Sequence, residues 1–164
     1  MIGNILWYYE QATPDEKDQG MGWYADQHQR IVELANIYDY PVDVVAAVTA
    51  VLSPRIAWSR NLIAAATLLD AVNRQKNLEE FTVDGLGMSK YKAFMIANTW
   101  DDRWVRGDKV TAFYNNLKDP DASDRVTVDT WTYRVAMNEL GKGRTPSLTA
   151  KLYDLIEDAY VACS

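Results

Sequence analysis

The sequence predicts an all-α protein in which seven or eight helices form one domain over residues 1–164. Apolar residues recur at helical spacing through most of the chain, and the one β-like run, 125–128, is too short to make a sheet. Cap residues, prolines and glycines mark where the periodic segments begin and end. No repeat, low-complexity stretch or linker divides the chain.

The first two helices are indicated by an aromatic segment and a start signal. Residues 2–11 are apolar and aromatic enough to form a short helix. Thr13-Pro14-Asp15-Glu16 then has the pattern of a capping box, with proline at a position where a missing N–H costs nothing. Glycines weaken the first half of this second helix. Its later half carries an apolar face made of Ile31, Leu34, Ala35 and Tyr38.

Two prolines indicate the next helix starts. Pro41 opens a third helix, whose almost continuous apolar surface predicts that it is enclosed on most sides. Ser53-Pro54 repeats the pattern of a cap followed by proline and predicts a fourth helix over about 55–74. The fourth helix is expected to bury Ala57, Trp58, Leu62, Ala65, Ala66 and Leu69.

Four further helices are predicted after the acidic stretch 77–87. Ser89 is expected to cap one, a second spans 108–117, Asp129 or Thr130 caps a third that stops at Gly141, and Thr145-Pro146 starts the last. Positions expected to be buried on them are Ala93, Ile96, Ala97, Trp100, Val110, Phe113, Tyr114, Leu117, Trp131, Val135, Leu140, Leu148, Leu152, Leu155, Ile156 and Ala159.

The composition excludes several classes of site. The single cysteine, Cys163, cannot form an internal disulfide or hold an iron–sulfur cluster, and the only histidine, His28, cannot build a metal site by itself. We therefore expect no metal and no cofactor. The longest apolar run is too short to cross a bilayer, so no membrane partner and a cytoplasmic location are expected.

The net charge of −6 is unevenly placed. Residues 1–50 carry eight acidic and two basic residues, whereas residues 51–109 carry nine basic and seven acidic ones. Tight non-specific binding to duplex DNA requires several neutralised phosphates, and this balance disfavours it. A local nucleic-acid site in the weakly basic middle remains compatible with the sequence.

Two titratable residues stand at predicted helix starts. Lys109 follows Gly107-Asp108 near the first turn of one helix, where the positive end of the dipole favours the neutral amine that nucleophilic attack needs. Asp129 begins the next helix, on the same end of the bundle. A carboxylate there can stabilise a developing positive charge or accept a proton. If the two residues are considered separately, the simpler interpretation is that Lys109 is a surface lysine and Asp129 is an N-cap.

Three segments, in order, carry a family resemblance. They are Val48-Thr49-Ala50-Val51-Leu52-Ser53-Pro54-Arg55 running on to Asn61, then Gly85-Leu86-Gly87-Met88-Ser89-Lys90, and finally Gly107-Asp108-Lys109-Val110 with Val128-Asp129-Thr130-Trp131 and Arg134. Together, over about residues 42–140, they resemble the helix-hairpin-helix DNA glycosylase superfamily, which includes endonuclease III-type and 8-oxoguanine glycosylases. The resemblance implies a DNA glycosylase with AP lyase activity on a modified or damaged base, with Lys109 attacking the sugar C1′ and Asp129 as its partner.

The resemblance also implies contacts with DNA. Arg55 matches a residue that lies beside the DNA and can fill the gap left by an extruded base. A cluster of basic residues within twenty positions is a candidate phosphate-contacting rim, although a solvated face is the simpler interpretation: Lys90, Lys92, Arg103, Arg106 and Lys109. Arg134 is a further candidate for contact with nucleic acid. Candidates for stacking on an extruded base are Trp58, Trp104 and Trp131, for which core packing is the alternative.

Two departures from the superfamily pattern leave alternatives open. The glycine-rich hairpin that normally precedes the lysine is replaced by the short segment 101–106, and Trp131 stands where the motif has histidine. The first alternative is processing of a hypermodified thymine in phage DNA. The second is a non-catalytic module that binds a free nucleotide or a protein partner. The third is a structural protein in which Lys109 and Asp129 lie far apart.

Overall fold

In the computed structural model, residues 1–85, 87–141, 143 and 146–163 are described. Eight α-helices, two 3₁₀ turns and no strand are found in these residues, which confirms the predicted all-α class. The assignment of the chain to one domain stays a prediction. The helices are α1 (Ile2–Gln11), α2 (Pro14–Tyr38), α3 (Val42–Leu52), α4 (Trp58–Asn73), α5 (Gly87–Thr99), α6 (Asp108–Lys118), α7 (Thr130–Met137) and α8 (Ala150–Val161); the 3₁₀ turns are Leu78–Glu80 and Asp102–Trp104.

The predicted start of α2 is confirmed. Thr13 Oγ1 accepts from the Glu16 backbone N–H at 3.3 Å, and the Glu16 carboxylate accepts from the Thr13 backbone N–H at 2.8 Å. This capping box pairs amides that the first turn of a helix leaves unpaired. The helix continues through Gly20 and Gly22 to Tyr38.

Helix α3 is the centre of the structure. Every residue of Val44–Leu52 is buried, as the apolar pattern predicts. The helix packs against α5 and α6 most extensively and also contacts α2 and α4. Because α6 begins with the segment that carries Lys109, the position of that lysine depends on packing against α3.

The predicted start of α4 at Ser53-Pro54 is wrong. Ser53 Oγ donates to Ala50 O at 2.8 Å, so the hydroxyl terminates α3 instead of capping a new helix. Arg55 then takes a left-handed conformation with φ of 67°, which helical backbone does not allow. The helix therefore begins at Trp58, with the exposed Ala57 as its N-cap.

Two other helix starts also differ from the predictions. Helix α5 begins at Gly87, so Ser89 lies buried within the first turn and is not the cap. Helix α8 begins at Ala150, because Thr149 Oγ1 accepts from the Leu152 backbone N–H at 3.3 Å and supplies the cap there. The last helix was predicted to start at Thr145-Pro146, and Thr145 lies outside the described residues.

Helix α7 ends earlier than predicted. It stops at Met137, because Asn138 adopts a left-handed conformation with φ of 56°, and does not reach Gly141. Asparagine tolerates this conformation better than most residues and is a recognised helix terminator. Leu140 consequently lies beyond the helix and is exposed.

Three other side chains expected in the core are exposed. Trp100 follows the end of α5 in a left-handed conformation and is 61% exposed, and Trp131 in the first turn of α7 is 62% exposed. On α8 the buried face is formed by Tyr153, Ile156 and Ala159, which places Leu155 on the solvent side.

The buried residues form two clusters. The larger is built from α2 to α6, whereas the smaller joins α1 to α7 and α8 around Ile5, Tyr133 and Ile156. Lys109 belongs to a helix of the larger cluster, and Asp129 caps a helix of the smaller one.

Within the described residues no helix has the length and apolar character needed to cross a membrane.

Candidate functional site

Lys109 is the second residue of α6 and its side chain is half-buried. Gly107 caps the helix with φ of 93° and ψ of 140°, a conformation open essentially to glycine alone. This turn sets the direction in which α6 leaves the preceding loop. Among the described residues Lys109 has no ion-pair partner.

Asp129 is the N-cap of α7, as predicted, and its side chain is half-buried. Its Oδ1 accepts from the backbone N–H groups of Trp131 at 2.7 Å and Thr132 at 3.0 Å. The Asp129 backbone N–H in turn donates to Thr132 Oγ1 at 2.6 Å. The cap fixes the carboxylate through one oxygen, so Oδ2 is the oxygen left for a ligand.

The starts of α6 and α7 face each other across a cavity of about 450 Å³, here termed the helix-start cleft. Both Lys109 and Asp129 line it. Tyr153 of α8 and the segment before α8 close the other side. The complete lining is Gly107, Asp108, Lys109, Val110, Val128, Asp129, Thr130, Pro146, Leu148 and Tyr153.

A second cavity of about 450 Å³ shares the same two residues. We term it the aromatic pocket, because five of the residues around it have aromatic side chains. Its lining is Trp23, Tyr24, Ser53, Ile56, Trp58, Asn61, Lys109, Phe113, Thr127, Asp129, Trp131 and Thr132. Lys109 and Asp129 thus lie where two cavities meet, each of a size typical of small-molecule sites.

Three rings of the aromatic pocket pack against one another. The Trp23 and Trp58 centroids are 5.4 Å apart, those of Trp58 and Phe113 are 5.8 Å apart, and those of Trp23 and Phe113 are 6.4 Å apart. Trp58 Nε1 donates to Oε1 of the buried Gln27 at 2.6 Å. The rings are therefore held in place before any ligand arrives, which lowers the entropy lost on binding.

Tyr24 is fixed in a similar way. Its hydroxyl donates to Thr127 Oγ1 at 2.9 Å, and Asn116 Nδ2 donates to the same oxygen at 3.1 Å. Burial raises the pKa of Tyr24 above its ordinary value. The phenol consequently stays neutral at physiological pH and serves as a polar but uncharged part of the wall.

Of the predicted stacking residues, Trp58 and Trp131 line the aromatic pocket. Trp131 is the more exposed, and the Arg134 guanidinium carbon lies 5.3 Å from its ring centroid. Trp104 lines neither cavity; its ring packs edge-on against Tyr91 with centroids 5.7 Å apart.

The predicted phosphate contacts divide into two groups. Arg55 lies between Ser53 and Ile56, which both line the aromatic pocket, and Arg134 lies beside Trp131. The other four, Lys90, Lys92, Arg103 and Arg106, line neither the helix-start cleft nor the aromatic pocket.

Three of those four cations contact their own chain. Lys90 Nζ donates to the carbonyl oxygens of Leu78 and Phe81 and lies 4.3 Å from the Phe81 ring centroid. Arg103 forms an ion pair with Asp101 at 2.7 Å, and Arg106 Nε donates to Arg103 O at 3.0 Å. Of these three residues Lys90 is half-buried, whereas Arg103 and Arg106 are exposed.

Trp23 and Tyr24 line the aromatic pocket but were not predicted as site residues. A signal was present, because counting back from Ile31 in steps of four gives Gln27 and Trp23, which continue the apolar face of α2. Gly20 and Gly22 obscured that signal by weakening the expectation of helix there. Phe113 was predicted to be buried, and the structure places it in the pocket wall.

The chain belongs to a family of unknown function, DUF7178, whose model matches residues 1–164. No curated protein matches the chain, and no solved structure does. Within the described residues no group of three or more His, Cys, Asp or Glu side chains is placed to hold a metal ion.

Proposed function

We propose that this member of the DUF7178 family is a DNA glycosylase with AP lyase activity that removes a modified or damaged base. The observation that carries the proposal is that Lys109 and Asp129 line the same two cavities, one of them walled by aromatic rings. A glycosylase needs a nucleophile and a carboxylate next to a slot for an extruded base. DNA as the partner and the cytoplasm as the location belong to the same proposal.

The two cavities suggest a division of the substrate. The extruded base enters the aromatic pocket and stacks on its rings, an interaction worth about 1–3 kcal/mol per base. The deoxyribose then lies where the pocket joins the helix-start cleft, within reach of Lys109. The helix-start cleft accommodates the adjacent sugar–phosphate backbone of the DNA.

The first chemical step is displacement at C1′ of the sugar. The neutral amine of Lys109 donates its electron pair to C1′ while the C1′–N bond breaks. The bond's electrons leave with the base, which takes up a proton. The Lys109 nitrogen then loses a proton, and its electron pair forms the C=N bond of an iminium as the C1′–O4′ bond breaks. The electrons of that bond go to O4′, which takes up a proton and becomes the 4′-hydroxyl of the opened sugar.

Asp129 serves this step through its second carboxylate oxygen. As the base departs, positive charge develops on the sugar, and a fixed negative charge nearby lowers the energy of that state. Because Oδ1 is held by the cap of α7, the carboxylate need not reorganise. It also offers a site for the proton released from the Lys109 nitrogen.

Strand cleavage follows from the iminium. Removal of a proton from C2′ supplies the electron pair for a new C2′–C3′ double bond, and the C3′–O bond breaks with its electrons leaving on the phosphate. Water then hydrolyses the conjugated iminium and releases Lys109. Arg55 and Arg134, which lie beside the aromatic pocket, are the cations best placed to hold the flanking phosphates.

A non-catalytic nucleobase-binding module is the second candidate. The observation that favours it is the packed set of aromatic rings, since stacking on a base requires neither Lys109 nor Asp129. The two candidates differ in what Lys109→Ala does. If the protein is a glycosylase, Lys109→Ala abolishes covalent capture of DNA. If it is a binding module, the same substitution leaves the affinity for the nucleobase nearly unchanged.

Borohydride trapping tests the proposal directly, because it reduces the iminium to a stable lysine–DNA adduct. The substrates are oligonucleotides with modified pyrimidines, including hypermodified thymine, oxidised purines or abasic sites. Wild-type protein should give an adduct on at least one of them and Lys109→Ala should give none. The matched control is Lys118→Ala, at the far exposed end of the same helix, which should trap normally. Failure of wild-type protein to trap any substrate would reject excision through Lys109.

A further inference from the structure

Asn61 is a fully buried residue in the wall of the aromatic pocket. Its Nδ2 donates to Thr49 O at 3.0 Å, near the end of α3 where carbonyl groups lack helical partners. Because a carbonyl can only accept, this bond fixes which end of the amide faces Thr49. Asn61 Oδ1 is left as a buried acceptor with no partner among the described residues.

Three hydrogen-bond donors of the pocket are already committed within the protein. Trp58 Nε1 donates to Gln27, the Tyr24 hydroxyl to Thr127, and Ser53 Oγ to Ala50 O. These groups cannot recognise acceptors on a ligand without breaking those bonds. Apart from Lys109 and Asp129, which the proposed reaction uses, the pocket offers Asn61 Oδ1 as a buried acceptor that has no partner among the described residues.

We propose that Asn61 Oδ1 accepts a hydrogen bond from an N–H group on the inserted edge of an aromatic heterocycle. The pocket then selects bases that present an N–H donor there, such as the imide of a thymine or the amino group of an adenine. The inference rests on the proposed function, whose base pocket it takes as given, and adds the substrate class and the residue that reads it.

The physical reason is the cost of leaving a buried acceptor unpaired. A ligand donor restores the missing bond, whereas an edge that offers only acceptors or a methyl group leaves Oδ1 unpaired or opposes it. Since Oδ1 is buried, the ligand must displace the side chains that cover it. Trp131 is the most exposed of the five aromatic residues that line the pocket.

Titration calorimetry on the full chain tests the inference with matched nucleosides. The probes are thymidine against 3-methylthymidine, and deoxyadenosine against N6,N6-dimethyldeoxyadenosine. At least one donor-bearing nucleoside should bind, and its methylated partner should bind about tenfold or more weakly. Equal affinity within both pairs, or no binding by any nucleoside, would overturn the inference.

Asn61→Leu separates hydrogen bonding from the bulk of the added methyl groups. The variant keeps a similar volume and removes the acceptor, so the two members of a pair should bind it equally well. A preference that persists in the variant would show that sterics cause it and would overturn the inference. If the variant does not fold, the wild-type comparison still tests the inference, because equal affinity within both nucleoside pairs would overturn it.

This test is separate from the trapping experiment. The calorimetric probes are free nucleosides, so the preference is measured on the wild-type protein without any covalent step at Lys109. Preference without trapping would reject excision and keep the donor-reading pocket. Trapping without a preference for the donor-bearing nucleoside would reject the proposed role of Asn61 and keep excision.

Discussion

Asp129 and Thr132 cap one another at the start of α7. The Thr132 backbone N–H donates to Asp129 Oδ1 at 3.0 Å, and the Asp129 backbone N–H donates to Thr132 Oγ1 at 2.6 Å. One residue thus combines a structural task with the proposed electrostatic one. Substitutions at this position can separate the two tasks, because only one depends on charge.

Asp129→Asn should keep the helix start and lose the chemistry. Asparagine caps helices about as well as aspartate, so the free energy of unfolding should change by only a few tenths of a kcal/mol, whereas Asp129→Ala should lose about 1 kcal/mol. Both should reduce borohydride trapping by about 100-fold or more. Urea unfolding and single-turnover trapping measure the two effects. Normal trapping by Asp129→Asn would show that the charge is not needed.

Gly107→Ala should destabilise the protein and disturb the site. A side chain at this φ costs about 1–3 kcal/mol, and relief of the strain would shift the first turn of α6 with Lys109. Gly20→Ala is the matched control: it lies in α2, where an added Cβ contacts nothing, and should stabilise by about 0.5–1 kcal/mol. Thermal unfolding monitored by circular dichroism gives both values. Equal changes in stability for Gly107→Ala and Gly20→Ala would contradict the backbone conformation assigned to Gly107.

Lys90 and Lys92 should behave differently toward DNA. The Lys90 ammonium is engaged by two carbonyl groups, so Lys90→Ala should lower the free energy of unfolding by about 1 kcal/mol. It should leave the salt dependence of DNA affinity unchanged. Lys92→Ala, on the same helix, should lower the slope of log DNA affinity against log salt concentration by about 1 if Lys92 contacts a phosphate. A lower slope for Lys90→Ala would show that the ammonium leaves its carbonyl partners to bind DNA.

Stability should fall in alkaline solution because of buried tyrosines. Burial raises the pKa of Tyr153 to about 12 and raises the pKa of Tyr160 also. Above about pH 10 the unfolded chain loses these protons while the folded protein keeps them, so the stabilisation present below pH 10 is lost as pH approaches 12. Urea unfolding at several alkaline pH values should show a smaller fall for Tyr153→Phe than for wild type. An identical fall would mean that Tyr153 does not contribute.

Local signals predicted much of the fold. The start of α2 and the cap of α7 were predictable because Thr13, Glu16 and Asp129 bond amides within their own first turns. The burial of α3 followed from composition alone. In each case the determining interaction is either local or follows from uniformly apolar character.

The failures occurred where one residue type has two possible uses. The Ser53 hydroxyl can cap a following helix or bond a preceding carbonyl, and Arg55 in a left-handed conformation favours the second use. Tryptophan is equally ambiguous, since Trp58 packs beside the core whereas Trp131 projects from α7. The unpaired acceptor of Asn61 depends on tertiary contacts, so no sequence pattern could reveal it.

The enclosure of α3 has a consequence for hydrogen exchange. Deuterium should reach the amides of this helix only when the whole domain opens, so their exchange rates measure global stability under native conditions. A molecule that binds the folded state alone should slow those amides further, by an amount set by its concentration and affinity. The central helix can therefore report a bound base analogue without any label in the pocket itself.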